Sequence, residues 1–397
     1  MSKLLIDGTL LSKNPKGVGR YSYKLIEQLL ARLHAEWSLI VVTFDGDDLT
    51  EFEQANGLSI IRIPKVPELV KGLVIIPWLI AQSRVDTVLL SNEAAVLTAG
   101  RPTLAILHDI DALIVSAGRL RLSVPRLIIN SLQQYFRLRM LRNAFGVICN
   151  SAFTAEAAIV RYGIRRDRIA IGYCGVDERF YFNDDSHIRE WCGAVRLWPG
   201  YVLTIATGDP RERYDLCPAI WAIVRAELPH LGLIVAGVHR KQRYVADLKN
   251  EFIARGLITD RDYTFVDFVG EHEFAKLRWL YRHADFYLEL SAHEGFGMQL
   301  VEAMATGTTC ISSGRGALAE IAGGYAVEFD VLEPKPIADR IVEAYRRGLN
   351  TRDNSAQVEY TKRFSWDDVG ELVVGKLANL QDRLRRTCSP SHPTEFC

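Results

Sequence analysis

Apolar runs of strand length alternate with amphipathic stretches along most of this chain of 397 residues. A strand covered on both faces reads as a continuous apolar run, and successive parallel strands need a crossover segment that is usually a helix. The amphipathic stretch Tyr21–Leu33 separates the first two runs in this way. The runs are Leu4–Asp7, Leu39–Phe44, Asp86–Leu90, Thr103–Leu107, Gly146–Asn150, Tyr201–Thr207, Leu231–Gly237, Tyr263–Gly270, Asp285–Leu290 and Thr308–Ser313. We therefore predict an α/β fold with parallel sheets covered by helices.

The domain organisation follows from the length and from the repetition of this pattern in each half. A chain of 397 residues exceeds one typical hydrophobic core, so two doubly wound domains are expected. The polar, turn-rich segment Phe182–Gly200 ends in a Pro-Gly pair and marks the boundary, and Ser365 is the expected N-cap of a last helix. The predicted parts are residues 1–190, residues 191–364, a helix over 365–386 and a disordered tail over 387–397.

Charge and cysteine content exclude several classes of partner. Lysine plus arginine and aspartate plus glutamate both number 48, which favours neither nucleic acid nor a strongly acidic partner. The seven cysteines lack zinc-ligand or redox spacing, which indicates reduced thiols in a cytoplasmic protein. The first residues do not have the shape of a signal peptide, and the most apolar window, Leu73–Ile80, is broken by Pro77 and too short to span a bilayer. A soluble chain is expected.

The segment Ser291–Ile311 joins a strand to a helix through a loop that contains two glycines. His293–Gly297 forms the predicted loop, and Met298–Ala305 the predicted helix, with Gly307 as its stop signal. Ligands of open α/β sheets bind at the carboxyl ends of strands, which is where this loop is expected. Glycines let backbone approach a ligand, and the first amides of a helix suit a diphosphate. The residues of this candidate phosphate site are Gly295, Gly297, Met298, Gln299 and Leu300.

Two glutamates flank the predicted helix start. Glu302 lies one turn inside the helix, where a carboxylate can accept hydrogen bonds from the vicinal hydroxyls of a ribose. Glu294 lies on the loop, where it can meet whatever is attached beyond the phosphates. The alternative is that Glu294 caps the helix and Glu302 is solvated. The neighbours of Glu302 are apolar and would crowd its carboxylate, which favours the ligand-binding interpretation.

The pattern E-G-F-G-x-x-x-x-E followed by A-M-A-T-G, residues 294–307, resembles the paired-glutamate motif of glycosyltransferase family 4. Members of that family are retaining enzymes of the GT-B fold that use nucleotide-sugar donors. Further stretches that resemble the family are Lys16–Ile26, Leu107–Asp111, Asn150–Thr154, Gly172–Phe180 and Phe364–Val369. The resemblance implies two Rossmann-like doubly wound domains facing each other across a cleft. The first would bind the acceptor and the second the nucleotide-sugar donor, and the C-terminal helix would close back toward the N-terminal domain.

The resemblance also implies residue roles. Glu294 would contact the donor sugar, Glu302 the ribose, and His108 a sugar hydroxyl from across the cleft. The nucleotide base would be read near Val269 and Gly270. The implied catalytic residues are Glu294, His108 and Arg211, and the implied donor-binding residues are Gly17, Gly19, Arg211, Arg213, Val269, Gly295, Phe296, Gly297, Met298, Gln299, Leu300 and Glu302. Taken alone, the Gly17–Gly19 loop can be a plain turn, and His108 a structural hydrogen-bonding group.

One position departs from the family pattern. An adjacent Arg-Lys pair is expected after the first strand of the second domain, and this chain has Arg211, Glu212 and Arg213 there. Arg211 matches the pattern, and Arg213 can substitute for the lysine if the loop shifts by one residue. If neither arginine reaches the phosphates, the chain would be a catalytically degenerate GT-B protein that binds nucleotide or glycan without transfer.

A metal-dependent alternative rests on Asp109 and Asp111, which follow an apolar run as the metal-binding Asp-x-Asp of the other large glycosyltransferase fold does. His108 directly before them matches the GT-B pattern instead, so no metal and no cofactor is expected. The resemblance to family 4 implies retention, through departure of the nucleoside diphosphate and attack by the acceptor hydroxyl on the same face of the sugar.

The donor and acceptor are predicted only by class. UDP-glucose or a similar UDP-hexose is the favoured donor, GDP-mannose the second candidate, and a glycan or lipid-linked glycan the acceptor. The segment Arg119–Arg142 interleaves six arginines with apolar residues and contains no acidic residue. Such a stretch can rest on the cytoplasmic face of an anionic membrane or form a solvated helix face, and the balanced total charge disfavours nucleic acid.

Overall fold

The structure is a computed structural model that describes residues 2–11, 17–33, 37–47, 49–53, 55–109, 124–182, 184–195, 198–237, 242–267 and 272–387. Its contacts divide the chain into two units. The N-terminal unit comprises Met1–Gly175 together with Ser365–Cys397, and the second unit comprises Val176–Phe364. Val269, Gly270, Asp111 and the predicted tail from residue 388 lie outside the described residues.

The N-terminal unit is built on one parallel sheet of seven strands. Its strands are β1 (Ser2–Asp7), β2 (Trp37–Phe44), β3 (Leu58–Ile63), β4 (Thr87–Leu90), β5 (Thr103–Leu107), β6 (Gly146–Cys149) and β7 (Ile169–Ile171). Its helices are α1 (Val18–Arg32), α2 (Thr50–Glu53), α3 (Glu68–Val70), α4 (Ile76–Gln82), α5 (Val124–Asn143) and α6 (Ala152–Tyr162), with a π-helical turn over Lys71–Ile75. The strand order is β3-β2-β1-β4-β5-β6-β7. The order of the strands therefore reverses between β1 and β4, and such reversals are where open α/β sheets bind ligands.

The second unit has a parallel sheet of six strands in the order β10-β9-β8-β11-β12-β13. The strands are β8 (Gly200–Ile205), β9 (Leu231–Ala236), β10 (Tyr263–Val266), β11 (Phe286–Glu289), β12 (Cys310–Ser312) and β13 (Val327–Glu328). The helices are α7 (Arg189–Val195), α8 (Cys217–Glu227), α9 (Gln242–Ala254), α10 (Glu273–Arg282), α11 (Met298–Ala305), α12 (Leu318–Ala322), α13 (Pro334–Arg346) and α14 (Ser355–Thr361). The strand order of this sheet reverses between β8 and β11.

All ten predicted strands are present, and the three strands that the sequence analysis missed lie at sheet edges. β3 and β7 are the outer strands of the first sheet, and β13 is an outer strand of the second. Along β3 and β7, most residues are partly or fully exposed, and β13 has two residues. An edge strand with a solvated face does not read as a continuous apolar run, so the pattern that identifies buried strands does not detect it.

The last helix, α15 (Trp366–Thr387), belongs to the N-terminal unit, as predicted. It packs on α1: Arg32 forms an ion pair with Asp367 at 2.8 Å, and the rings of Tyr21 and Trp366 meet edge to face at 5.4 Å. The Ser365 hydroxyl accepts a hydrogen bond from the Asp367 amide at 3.1 Å, which is the cap predicted from the sequence. None of the helices within the described ranges combines the length and apolar character needed to cross a bilayer.

The first crossing between units lies at Gly175, whereas the sequence analysis places it at residue 190. The difference arises because residues 176–190 pack on the second unit. The Phe180 ring lies 5.9 Å from that of Phe274, and the Arg278 guanidinium donates to the Arg179 carbonyl at 3.0 Å and to the Asp185 carboxylate at 2.8 Å. These long-range contacts decide the boundary, and local turn composition does not reveal them.

Candidate functional site

Two loops meet at the strand reversal of the second unit. One follows β8 and carries Arg211; the other follows β11 and runs from Ser291 to Gly297. The Ala292 amide donates to the Arg211 carbonyl at 2.8 Å, which joins the two loops directly. Because β8 and β11 are neighbours in the sheet, their carboxyl ends bring Arg211 close to the Glu294 loop. This is the position at which the sequence analysis expects a ligand.

The Glu294 loop is fixed on both sides of its glutamate. The Ser291 hydroxyl donates to the Glu294 carboxylate at 3.0 Å, and the Ala317 amide donates to the Glu294 carbonyl at 2.9 Å. Gly316 approaches so closely that a Cβ atom would lie 2.4 Å from the Glu294 carbonyl oxygen, and its φ of 67° also favours glycine. A rigid loop therefore presents a half-buried carboxylate at the edge of the sheet.

Helix α11 begins at Met298, as predicted, directly after Gly297. Gly297 has a φ of 96°, and a Cβ atom there would lie 2.6 Å from the Leu318 side chain, so both conformation and space require glycine. The Val301 amide bonds to the Gly297 carbonyl. The amides of Met298, Gln299 and Leu300 precede this first turn and therefore have no acceptor within the helix. They form the positive end of α11.

The side chains of this segment divide between core and site. Phe296 is buried, with its ring 5.7 Å from that of Phe364, and the Leu300 side chain is fully buried. These two residues can therefore offer a ligand only their backbone. Glu302 is 3% exposed, and the Tyr281 hydroxyl lies 3.4 Å from its carboxylate. A buried carboxylate is costly without hydrogen-bond donors, so Glu302 is not the solvated surface residue of the alternative interpretation.

The two arginines of the β8 loop differ in their contacts. The Arg211 guanidinium lies beside the Asp209 carboxylate, with an Nε to Oδ1 distance of 3.3 Å. The Arg213 guanidinium pairs with Asp215 at 3.1 Å, and the Arg213 backbone is left-handed with a φ of 54°. Each arginine therefore pairs with an aspartate two residues away, and what distinguishes Arg211 is that its carbonyl accepts the hydrogen bond from Ala292.

Glu212, the residue that departs from the family pattern, closes the turn of its own loop. Its carboxylate accepts hydrogen bonds from the amide and hydroxyl of Thr207 and from the Asp209 amide, while the Asp209 side chain caps the same turn. Burial raises the pKa of Glu212 to about 7, and the nearby carboxylates of Glu289 and Asp209 contribute to the rise. The residue at the expected lysine position is thus a structural carboxyl group that titrates near neutral pH.

Glu289 is a buried carboxyl group that the sequence analysis did not single out. It lies at the end of β11 and accepts hydrogen bonds from the Tyr287 hydroxyl at 2.9 Å and from the Ser291 amide at 3.1 Å. Burial raises its pKa. A glutamate inside the otherwise apolar run Asp285–Leu290 was the sequence signal for it. Its bond to Ser291 fixes the start of the Glu294 loop.

His108 follows β5 in the N-terminal unit and is buried. Its Nε2 lies 2.8 Å from the Ser91 carbonyl oxygen, the Asn150 amide donates to the His108 carbonyl at 2.9 Å, and the Tyr21 ring packs edge to face at 4.6 Å. Burial lowers the pKa of His108, so the ring is neutral at pH 7. A neutral ring that donates through Nε2 has Nδ1 as an acceptor, the form needed to receive a hydrogen bond from a sugar hydroxyl.

A second buried group lies where the strand order of the first sheet reverses. The Lys71 ammonium pairs with the Asp7 carboxylate at 3.0 Å and donates to the Thr9 hydroxyl at 2.7 Å. Lys71 and Thr9 line a cavity of about 290 Å³, together with Glu93 and Arg137. Asp7 ends the first predicted strand, and its separation of 64 residues from Lys71 meant that the sequence did not reveal the pair.

The remaining predicted residues have simpler positions. Gly17 is the N-cap of α1 with a φ of 54°, and Gly19 is buried in the first turn of that helix. Val269 and Gly270, which the family resemblance implies are near the nucleotide base, lie outside the described residues. So does Asp111 of the metal-binding alternative; among the residues that the structure does describe, no cluster of three or more His, Cys, Asp or Glu could hold a metal ion.

Two family models match consecutive parts of the chain. Residues 15–180 match the model described as Glycosyltransferase Family 4, and residues 200–347 match the model described as Glycosyl transferases group 1. The first match ends in the segment where the chain crosses between units, and the second includes the Arg211 loop, the Glu294 loop and α11.

Curated relatives with sequence similarity include two proteins of Escherichia coli. The serotype-specific mannosyltransferase WbdA is 24% identical over 62% of this chain and 30% of its own length. The O-antigen chain mannosyltransferase B is 26% identical over 43% of this chain and 44% of its own length. The chain thus spans less than half the length of either relative.

Solved structures share the fold across nearly the whole chain. HepE of Anabaena, in complex with UDP and glucose, has a TM-score of 0.71 at 20% identity, covering 96% of this chain and 100% of that one. WaaG, a glycosyltransferase involved in lipopolysaccharide biosynthesis, has a TM-score of 0.71 at 15% identity, covering 94% and 100%. The fold is therefore GT-B, with one parallel sheet in each unit. Together with the two family matches, this shows that the chain belongs to the glycosyltransferases, with a Glycosyltransferase Family 4 domain followed by a group 1 domain.

Proposed function

We propose that this chain transfers a hexose from a nucleoside-diphosphate sugar to a hydroxyl of a glycan or lipid-linked glycan, with retention of configuration. The observation that carries the proposal is the convergence at the β8 and β11 reversal. There the Glu294 loop, which leads into the first amides of α11, bonds to the loop that holds Arg211, and Glu302 lies buried one turn inside the helix. Amides and an arginine suit a diphosphate, and a buried carboxylate suits the paired hydroxyls of a ribose.

The proposed chemistry uses positioning and charge rather than a covalent nucleophile. Arg211 and the α11 amides stabilise the negative charge that develops on the leaving nucleoside diphosphate. Glu294, held by Ser291 and Ala317, orients the donor sugar, and His108 accepts a hydrogen bond from a sugar hydroxyl through Nδ1. The acceptor hydroxyl attacks on the face from which the diphosphate leaves. We assign acceptor binding to the N-terminal unit, at the cavity beside Asp7 and Lys71.

Two donors fit the proposal. The curated relatives are named mannosyltransferases, which favours a mannosyl donor such as GDP-mannose. The HepE structures contain UDP, glucose or UDP-glucose, which supports a UDP-hexose, although their similarity to this chain extends only to the fold. Sequence similarity is the more specific link, so we place GDP-mannose before UDP-glucose. This reverses the order that the sequence analysis gives.

Thermal unfolding in the presence of nucleotides separates these donors. A ligand that binds only the folded protein at about 100 times its dissociation constant stabilises it by about 2.7 kcal/mol. We expect one of GDP and UDP to raise the melting temperature by several degrees and ADP to have little effect. If none of the three changes the melting temperature, the degenerate alternative without donor binding replaces the proposal.

Peripheral membrane contact is part of the proposed function and rests on exposed apolar residues of the N-terminal unit. Val74 and Trp78, on the helical segment that follows Glu68, are 61% and 59% exposed. The Glu68 carboxylate lies 3.4 Å from the Arg137 guanidinium of α5, which links this segment to the basic stretch. Further exposed apolar side chains of α5 are Ile128, Ile129, Leu132 and Tyr135. Apolar side chains beside arginines are typical of a surface that rests on anionic lipid.

Vesicle binding tests this contact. We expect the double variant Val74→Ser/Trp78→Ser to bind vesicles of anionic phospholipid about tenfold more weakly than the unaltered chain, because it loses apolar area that would enter the lipid interface. The control is Val160→Ser/Ile171→Ser, which removes two exposed apolar side chains elsewhere on the same unit. Co-sedimentation is the measurement. Equal loss in both variants, or none in the first, would contradict a membrane surface at Val74 and Trp78.

A further inference from the structure

A large basic cavity lies at the amino ends of strands in the first sheet, whereas His108 lies at the carboxyl end of β5. It has a volume of about 620 Å³ and is bounded by the segments that precede β5, β6 and β7 and by one face of α15. Its charged lining residues are Arg101, Arg165, Asp167, Arg168, Lys376 and Arg383. Because all strands of the sheet are parallel, the amino ends of β5 to β7 lie together, away from the carboxyl ends. His108 follows the carboxyl end of β5, which lies about 15 Å from the amino end of this five-residue strand.

The charge of this cavity is strongly one-sided. Five cationic side chains and one carboxylate line it, in a chain whose basic and acidic residues are equal in number. Asp167 is engaged by Arg165 through two hydrogen bonds of 3.0 and 2.6 Å. Among the described residues, neither the Lys376 ammonium nor the Arg101 guanidinium has an acidic partner. The cavity therefore holds uncompensated positive charge, which an anion can neutralise.

The surrounding contacts fix several of the cations in position. The Arg168 guanidinium donates to the carbonyls of Arg142 and Ala144 at 2.9 and 3.2 Å, which anchors it to the end of α5. The Arg383 guanidinium lies over the Phe145 ring, 5.3 Å from its centroid. Lys376 and Arg383 are seven residues apart on α15, so they project from the same face of that helix. Arg168 and Arg383 are therefore held at the cavity by contacts within the protein.

We propose that this cavity is a binding site for a phosphate-bearing anion, separate from the proposed donor site. Forked arginine donors recognise phosphate oxygens, and a lysine adds a point charge. A volume of about 620 Å³ exceeds a single phosphate and is typical of a ligand with a phosphate on a larger polar group. The phosphate can come from a soluble metabolite or from the head group of an anionic lipid; the recognition chemistry is the same for both.

The experiment compares two double variants of the full chain. Lys376→Gln/Arg383→Gln removes one lysine and one arginine from the cavity, and Lys65→Gln/Arg385→Gln removes the same pair of charges from exposed positions outside it. Inorganic pyrophosphate is titrated by calorimetry into each. We expect the cavity variant to lose the pyrophosphate site, with affinity at least about tenfold lower, and the control variant to keep it. Added salt should weaken the affinity of the unaltered chain for pyrophosphate.

Two further arms identify the source of the phosphate. If the site serves a lipid head group, the cavity variant also binds anionic vesicles more weakly than the control variant; if it serves a soluble ligand, vesicle binding is equal and only pyrophosphate affinity falls. Because pyrophosphate also suits the proposed donor site, the titration is repeated in Arg211→Ala, which leaves the cavity intact. Equal pyrophosphate affinity and equal vesicle binding in the cavity and control variants would overturn the proposal, whatever the outcome for nucleotides.

Discussion

Turnover by Arg211→Ala is expected to fall by about two to three orders of magnitude, with the fold intact. Removing a preorganised donor that stabilises developing negative charge typically has an effect of this size. Arg211 lies on the loop that bonds to Ala292, and the segment from Ala292 leads into α11, where the leaving diphosphate would accumulate charge. We expect Glu294→Ala to lose a comparable factor, because its carboxylate would no longer orient the sugar. The measurement is release of nucleoside diphosphate during transfer.

The matched control for this prediction is Arg213→Ala. That substitution removes the same side chain two residues away. Both guanidinium groups pair with a neighbouring aspartate, but Arg211 is the residue whose backbone bonds to the Glu294 loop. Turnover should therefore change little. A larger loss in Arg213→Ala than in Arg211→Ala would mean that the loop shift considered for the family pattern takes place. Near-normal transfer by both Arg211→Ala and Glu294→Ala would refute the assignment of these residues.

Glu212 should make the second unit less stable as pH rises toward neutrality. An unfolded glutamate titrates near 4.5, and burial raises the pKa of Glu212 to about 7 in the folded state. Between these values the folded state holds a proton that the unfolded chain has lost, so the free energy of unfolding falls with rising pH. At 1.36 kcal/mol for each pKa unit, the loss amounts to about 3 kcal/mol across the window. Above pH 7 both states are ionised and the effect is complete.

Glu212→Gln isolates this effect because the amide is similar in shape and does not titrate. We expect denaturant unfolding of the variant to show a smaller loss of stability between pH 4.5 and 7 than the unaltered chain, and a higher free energy of unfolding at pH 8. Glu190→Gln, at an exposed position of the same unit, is the control and should keep the original pH dependence. Identical pH profiles for Glu212→Gln and the unaltered chain would contradict a buried carboxyl with a raised pKa.

The fold was predictable where local sequence carries the physical cause. Central strands are buried on both faces, so their apolar runs are visible in the sequence, and the start of α11 is specified by Gly297 and the residues around it. Edge strands such as β3 need only one covered face and therefore give a weaker pattern. The unit boundary depends on contacts such as that of Phe180 with Phe274, between residues far apart in the chain.

The same distinction between local and long-range causes applies to the candidate site. Glu294, Glu302 and the α11 amides belong to one continuous segment, so their pattern could be read directly. Other contacts depend on the conformation of side chains, which residue type and spacing do not determine. Examples are the hydrogen bond from Thr207 to Glu212 and the ion pairs Arg213–Asp215 and Lys71–Asp7. The sequence therefore showed that Glu212 departs from the family pattern, but not which groups its carboxylate contacts.

The central feature of the proposed function is a nucleoside diphosphate bound at α11, with its ribose on Glu302. The most direct test is a calorimetric titration of GDP or UDP, whichever stabilises the chain, into the unaltered protein and into Glu302→Gln. Loss of charge-assisted hydrogen bonds to the ribose should lower nucleotide affinity by about 10- to 100-fold, while the affinity for inorganic pyrophosphate stays the same. Equal nucleotide affinity in the two proteins would contradict the account.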